Sequence, residues 1–264
     1  MLAKSSILRQ AKNIIIWLGM LPKMFKNPSV CGTGKVCYIG DGIISTRSTD
    51  VISDKVFSAY KKGVYENTPK VIHKYDYTIY RFQLYHWAVN NALLLEGDMM
   101  EIGVWWGVMS YGALEVETNL QGKKFHLVDA YGKSSNDDID HDSRMPYSKS
   151  NSNRKYEDDI YEKVKERFKG KPVVFHRGYV PEILESKEIP DKICFLSLDM
   201  NSAKSEYAAI NFLWERLVKG CFIYIDDFGC QNHEDTRQMY RSFFDSKNTE
   251  LLVSPYSSAL AIKR

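Results

Sequence analysis

The segment of residues 98–110 constrains the fold more than any other part of the chain. Its sequence, DMMEIGVWWGVMS, predicts a buried strand that stops in a glycine turn and continues directly into a helix. Gly103 and Gly107 allow a sharp turn and a close approach of the backbone to a ligand. Counted from Glu101, the spacing is E-x-G-x-x-x-G, which is neither the dinucleotide-binding G-x-G-x-x-G nor a phosphate loop. The turn favours a nucleoside ligand without phosphates, although many α/β proteins have such a turn and bind nothing there.

Composition limits the classes of protein to consider. A chain of 264 residues, 44% apolar and 26% charged, suits one large α/β domain with additions or two small domains. The formal net charge of +3 is too small to favour nucleic acid as the principal partner. No C-x-x-C pair occurs, so neither a disulfide framework nor a zinc site is indicated, and a reducing, cytoplasmic location is expected. The five cysteines are Cys31, Cys37, Cys194, Cys221 and Cys230.

The first 40 residues contain Lys and Arg but no Asp or Glu. Apolar residues recur at helical spacing over residues 7–25, opposite the basic ones, which predicts a basic amphipathic helix. Its uninterrupted apolar run, residues 14–21, is too short to cross a bilayer. Peripheral contact of residues 4–26 with the inner, anionic face of a membrane is one interpretation. Docking on the domain or on a second subunit of a homo-oligomer is another, and a signal-like segment is a third.

After this extension, apolar strand patterns alternate with helical patterns. This cadence predicts a doubly wound, mostly parallel sheet covered on both faces, with an antiparallel C-terminal strand. The expected organisation is an N-terminal helical extension with a linker, residues 1–75, and an α/β domain, residues 76–264. Strands are predicted at residues 99–104, 124–129, 173–176, 193–198, 220–225, 250–253 and 259–262. Helices are predicted at residues 53–63, 76–95, 109–118, 156–168, 182–186, 207–218 and 235–244.

Carboxylates end four of the predicted strands, at the edge where open parallel sheets bind ligands. Asp129 is placed to accept hydrogen bonds from both hydroxyls of a ribose. Asp199, Asp226 and Asp227 follow two strands that we expect to be neighbours, and an all-oxygen set suits Mg²⁺. The alternative for each of them is a residue that caps the next helix or begins a loop.

Several motifs, in this order and at similar spacing, resemble the macrocin (tylosin-type) sugar O-methyltransferases. They are EIGVWWG at residues 101–107, VDAYG at 128–132, VFHRG at 174–178, LDMN at 198–201 and YIDDFG at 224–229. The resemblance implies a class I methyltransferase of Rossmann-like fold that uses S-adenosylmethionine, often with Mg²⁺, on a deoxysugar hydroxyl. The cofactor-binding residues that it implies are Glu101, Gly103, Gly107, Ser110, Asp129, Gly178 and Tyr179. Asp199, Asp226 and Asp227 would bind the metal, with Asp199 also catalytic.

The chain departs from the family pattern near the acceptor side. Trp106 replaces an arginine, Val108 replaces a glycine, and residues 199–205 read DMNSAKS where the family has DGDLYES. These changes bear on metal binding and acceptor identity more than on the cofactor site. Lys204 and His233 are alternative bases, although each reads more readily as a surface residue. The polar loop of residues 133–155 has the length of a lid over the acceptor, or of an insertion.

The leading expectation is a cytoplasmic O-methyltransferase of sugar hydroxyls in polysaccharide, glycolipid or secondary-metabolite biosynthesis. A nicotinamide-dependent oxidoreductase is a second interpretation, disfavoured by the missing pyrophosphate glycines. A third is a catalytically inactive methyltransferase-fold module in membrane or complex assembly, which the altered segment after Asp199 supports.

Overall fold

A computed structural model describes residues 38–40, 42–45, 52–132, 159–231 and 233–264. The amphipathic helix predicted at residues 7–25, the polar loop at 133–155, and Cys31 and Cys37 lie outside these residues. The chain divides into a unit that ends at Val51 and a second unit, Ile52–Arg264. Within the first unit, β1 (Tyr38–Gly40) and β2 (Ile43–Ser45) pair in antiparallel fashion.

The second unit is organised around a seven-stranded sheet in the order β5-β4-β3-β6-β7-β9-β8. The first five strands in this order are parallel, and β9 runs antiparallel to both of its neighbours. The predicted fold class, with its antiparallel C-terminal strand, is confirmed. Strand order reverses between β3 and β6, so a ligand crevice is expected beyond their carboxyl ends. The strands are β3 (Asp98–Ile102), β4 (Phe125–Asp129), β5 (Val173–Arg177), β6 (Ile193–Leu198), β7 (Leu217–Ile225), β8 (Leu251–Val253) and β9 (Ala259–Ile262).

Six α-helices accompany the sheet in the described residues. Neighbouring residues of one strand, such as Phe195 and Leu196, enter different apolar clusters because side chains alternate between the two faces of a sheet. Both faces are therefore covered, as a doubly wound sheet requires. None of the described helices has the length and hydropathy needed to cross a bilayer. The helices are α1 (Asp54–Tyr65), α2 (Ile79–Ala92), α3 (Val108–Val116), α4 (Tyr161–Arg167), α5 (Ala203–Leu213) and α6 (Glu234–Ser246), with 3-10 turns at His73–Tyr75, Glu182–Glu185 and Trp214–Arg216.

The prediction of a helix at residues 207–218 is wrong in its limits. Helix α5 begins at Ala203 because the Ser202 hydroxyl accepts a hydrogen bond from the Ser205 amide and caps it. The helix ends at Leu213, and Val218 belongs to β7 rather than to the helix. The short helix predicted at residues 182–186 is a 3-10 turn.

Helix α1 packs tightly against α3 inside the second unit. A Cβ atom on Gly63 would lie only 2.5 Å from the carbonyl oxygen of Val108 and 3.4 Å from the Gly112 backbone, so the two helices approach through glycine. The unit accordingly begins at Ile52, whereas the sequence placed the start of the domain at residue 76.

Candidate functional site

The glycine turn after β3 contacts both neighbouring strands, β4 and β6, at the switch point, which is the place where the strand order reverses. Gly103 has a φ of +87°, and its amide donates to the Val128 carbonyl at 2.9 Å. A Cβ atom at Gly103 would lie 1.9 Å from the Asp199 carbonyl oxygen, so only glycine fits between β3 and β6. Gly107, with a φ of +62°, lies immediately before α3, and a Cβ atom there would lie 2.6 Å from the Phe168 ring. The predicted turn is thus present, with both glycines where the backbone requires them.

Glu101 is buried near the end of β3, just before this turn. Its Oε2, the Ser110 Oγ and the Tyr85 hydroxyl are all buried and have no hydrogen-bond partner of normal geometry within the described residues. Burial raises the pKa of Glu101 to about 8; the nearby Ser110 and Tyr85 hydroxyls oppose this rise, and the charges of Asp129 and Asp226 add to it. Unsatisfied buried polar atoms are costly, so these three groups suit a polar ligand.

Asp129 holds the turn in place. Its Oδ2 accepts hydrogen bonds from the Val104 and Trp105 amides at 2.7 and 2.8 Å. Its Oδ1 accepts one from the Tyr131 amide at 2.6 Å. Because a carboxylate offers about four acceptor positions, Asp129 can accept at most about one further hydrogen bond without rearrangement. It therefore stabilises the turn before α3 rather than capping the helix that follows β4, and in this arrangement it can serve one ribose hydroxyl rather than two.

Gly178 and Tyr179 follow β5, next to Asp129. The Gly178 amide donates to the Asp129 carbonyl at 3.1 Å, and Tyr179 is 40% exposed. The residues predicted to bind the cofactor therefore lie along the carboxyl ends of three adjacent strands, β3, β4 and β5. The structure brings them together in the order in which a nucleoside could span them.

The three aspartates predicted to bind metal also come together. Asp199 follows β6, Asp226 and Asp227 follow β7, and one carboxylate oxygen from each lies within 4.8 Å of the others. Burial raises the pKa of Asp199 well above its usual range, and the charges of Asp226 and Asp227 add to this effect. Burial, followed by the Asp227 charge, raises the pKa of Asp226 to about 6. This cluster of carboxylates consequently favours a cation or a proton.

Arg81, on α2, supplies a positive charge that the sequence analysis missed. Its Nη1 lies 3.1 and 3.2 Å from the two oxygens of Asp226 and 2.7 Å from Oδ1 of Asp227. Burial alone would raise the pKa of Asp227, but Arg81 and the Cys230 thiol outweigh it and lower that pKa. Arg81 is the only Asp, Glu, Lys or Arg of α2, so a lone charge in an aromatic-rich helix was the available clue.

The donor set fits a hard divalent cation. All three ligand groups are carboxylates, and oxygen ligands are those that Mg²⁺ prefers. The Asn201 side-chain amide lies beside the cluster, with its Nδ2 3.4 Å from Oδ1 of Asp199. Lys204 is exposed, as expected of a surface residue, whereas His233 is half-buried and its charge contributes to the lowered pKa of Asp227.

Trp106 packs into the apolar core beside the turn and is only 5% exposed. Its carbonyl accepts a hydrogen bond from Arg167, whose guanidinium also donates to the carbonyls of Gly63 and Glu66 at 2.5 and 3.1 Å. The same guanidinium lies 4.2 Å from the centre of the Tyr111 ring. Arg167, which sequence reasoning also missed, therefore ties α1 and the glycine turn together.

Comparisons with known proteins bear on the fold and on the family of the chain. Of two similar solved structures, the O-methyltransferase NovP has 20% identity and a TM-score of 0.58, over 70% of this chain and 80% of its own. CalS11, a calicheamicin methyltransferase, has 12% identity and a TM-score of 0.50, over 88% of this chain and 98% of its own. At these identities the two structures support the fold alone. No curated protein matches the sequence significantly. The model of the macrocin-O-methyltransferase (TylF) family matches residues 46–252, so the chain belongs to that family of O-methyltransferases, as its motifs predicted.

Proposed function

We propose that the chain transfers a methyl group from S-adenosylmethionine to a sugar hydroxyl. The observation that carries this proposal is the contact between Gly103 and Asp199 at the switch point. In this proposal the glycine turn belongs to the donor site, and it touches the backbone of Asp199, whose carboxylate belongs to the acceptor site. CalS11 is described as a TDP-rhamnose 3′-O-methyltransferase, which supports a nucleotide-linked sugar or related glycan as the class of acceptor.

On the donor side, each residue has a distinct task. Glu101 and Ser110 face the methionine part, where an ammonium group would satisfy the buried carboxyl. Asp129 accepts a hydrogen bond from one ribose hydroxyl while it holds the turn. Gly178 and Tyr179 contact the adenine side. With these contacts, the bound cofactor would span from the end of β3 to the end of β5.

Methyl transfer is an in-line displacement, so alignment of the two substrates is the main task of the protein. The acceptor oxygen forms a bond to the methyl carbon, the carbon–sulfur bond breaks, and the sulfonium becomes a neutral thioether. In this proposal the ionised Asp199 carboxylate takes the hydroxyl proton as the general base. Asp199, Asp226 and Asp227 hold Mg²⁺ in this proposal. When bound, the ion lowers the pKa of the acceptor hydroxyl.

Calorimetry with S-adenosylhomocysteine tests the donor site. We expect the full chain to bind this product, and Asp129→Asn to weaken binding by about tenfold or more, since hydrogen bonds to charged groups are the stronger ones. Asp98→Asn is the matched control. Asp98 also accepts a backbone amide, that of Lys124 at 2.8 Å, but it lies at the opposite end of β3. Absence of binding at millimolar ligand would overturn the proposal.

Methyl transfer itself is tested with isotope-labelled S-adenosylmethionine and a panel of nucleotide-linked sugars. Labelled product would support methyltransferase activity. Binding of the cofactor without transfer to any acceptor would favour the catalytically inactive assembly module. Fluorescence titration with NADH tests the oxidoreductase alternative. A role in polysaccharide, glycolipid or secondary-metabolite biosynthesis, and a cytoplasmic location, belong to the same proposal.

A further inference from the structure

The Arg81 guanidinium occupies the centre of the Asp226–Asp227 pair. Its Nη1 lies within 3.2 Å of three carboxylate oxygens, two from Asp226 and one from Asp227. A cation that bridges the same two carboxylates needs the same oxygens. The two positive groups therefore share one binding position and repel each other.

Arg81 is also largely enclosed beside the carboxylates. Its side chain is 11% exposed, and its Nη2 lies 3.8 Å from Sγ of Cys230. The preceding residue, Tyr80, stacks on Tyr256 with ring centres 4.8 Å apart and planes 10° apart. The start of α2 is therefore anchored against the loop between β8 and β9. An arginine held in this way stays near the site when a cation arrives.

We propose that Arg81 competes with a divalent cation for the Asp226–Asp227 pair and so sets the cation affinity of the site. This inference rests on the proposed cation site and gives it a regulator within the chain. A cation that binds here displaces the guanidinium from Asp226 and Asp227 and gains the Asp199 carboxylate as a third ligand. The site then binds its cation weakly, because one positive charge must be displaced by another.

Titration of Mn²⁺, followed by electron paramagnetic resonance of the free ion, tests this competition in the full chain. Because removal of a neighbouring positive charge strengthens cation binding, we expect Arg81→Gln to bind Mn²⁺ about tenfold or more tightly than the original protein. Arg81→Lys keeps the charge but has only one donor nitrogen, so its affinity should fall between the two. Equal or weaker binding by a folded Arg81→Gln variant would overturn the inference, as would absence of Mn²⁺ binding in every protein.

Arg237→Gln is the matched control. Arg237 donates to the carbonyls of Phe228 and Cys230, at 3.3 and 2.6 Å, in the loop that follows Asp227. It bonds to none of the three aspartates. This variant should keep the original Mn²⁺ affinity; if it also gained affinity, loosening of the loop would explain the effect and the inference would fail.

If Arg81→Gln does not fold, nuclear magnetic resonance of ¹⁵N-arginine-labelled protein gives the second test. Mg²⁺ should shift the Arg81 side-chain signal, assigned from Arg81→Lys, and an unshifted signal at saturating Mg²⁺ counts against competition. Binding of S-adenosylhomocysteine is measured on the same samples. If that binding is intact while Arg81→Gln gains no Mn²⁺ affinity, only the Arg81 inference fails. If no protein binds Mn²⁺, the proposed cation site fails with it. If the original protein does not bind S-adenosylhomocysteine, the proposed function fails.

Discussion

Glu101 is a carboxyl group in surroundings that disfavour its charge. Burial raises its pKa to about 8, so the free protein at neutral pH holds it mainly protonated. An ammonium group placed beside it would favour the carboxylate and lower that pKa. Cofactor binding and loss of the Glu101 proton are therefore linked.

This linkage predicts proton release. Calorimetry of S-adenosylhomocysteine at pH 7, in buffers of different ionisation enthalpy, should show release of nearly one proton per ligand bound. Affinity should rise between pH 6 and 8 and level off above the pKa of free Glu101. Glu101→Gln should abolish the release and weaken binding; release that persists in this variant would point to another group.

The same residue predicts a conflict between stability and function. The folded-state pKa of Glu101 is raised above its ordinary value, so its contribution to stability is largest below pH 4.5 and is lost as pH rises towards 8. Without ligand, Glu101→Gln should therefore have a higher melting temperature than the original protein at pH 8.5, and less advantage at pH 6.

Site residues that follow a strand or a glycine motif were predictable from the sequence, whereas the distant partners of the long arginine side chains were not. The predicted aspartates lie together because each one follows a strand, and parallel strands end at a common edge. Arg81 reaches Asp226 across 145 positions of sequence, and Arg167 reaches Gly63 across 104. Neither partnership leaves a spacing pattern, since it depends on how helices pack on the finished sheet.

At the scale of elements, strands were predicted more closely than helix limits. The strands at Ile193–Leu198 and Ala259–Ile262 have the predicted limits because their apolar runs end at polar residues. Helix α5 begins four residues before its predicted start, because the Ser202 cap, rather than the spacing of apolar residues, determines its first turn. Hydrophobic periodicity thus identifies an element, and capping sets where it begins.

The glycine turn gives a prediction about how β3 and β6 fit together. Gly103→Ala places a Cβ atom 1.9 Å from the Asp199 carbonyl oxygen, so the ends of the two strands must separate. We expect the melting temperature to fall by roughly 10 °C or more, with loss of S-adenosylhomocysteine binding, since a clash adds to backbone strain. Differential scanning calorimetry gives the first quantity and titration calorimetry the second.

Gly122→Ala is the control for this substitution. Gly122 has nearly the same backbone angle, φ +83° against +87°, but no atom lies within 4 Å of its added Cβ. The free energy of unfolding should therefore fall only by the strain of the left-handed backbone conformation, about 1–2 kcal/mol. Similar losses of stability in the two variants would show that the close packing at Gly103 does not contribute to stability.

At the scale of the whole molecule, charge is divided unevenly along the chain. Six of the 36 basic residues and none of the 33 acidic residues precede Asp41, so the remainder has three more acidic than basic residues. The part that contains the candidate site is thus mildly repelled by an anionic surface, and the first 40 residues are attracted to it. Any membrane contact should therefore depend on the N-terminal segment.

Sedimentation with liposomes tests this dependence. The full chain should pellet with anionic vesicles at low salt, while a protein that begins at residue 29 should stay in the supernatant. Binding should weaken as ionic strength rises, because a Debye length of about 10 Å at 0.1 M salt screens the lysine and arginine charges. A full-length variant with Lys4, Arg9, Lys12 and Lys23 replaced by glutamine keeps the apolar residues and separates charge from hydrophobicity. Equal sedimentation of the full and shortened chains would exclude a membrane role for this segment and leave docking on the domain or on a second subunit.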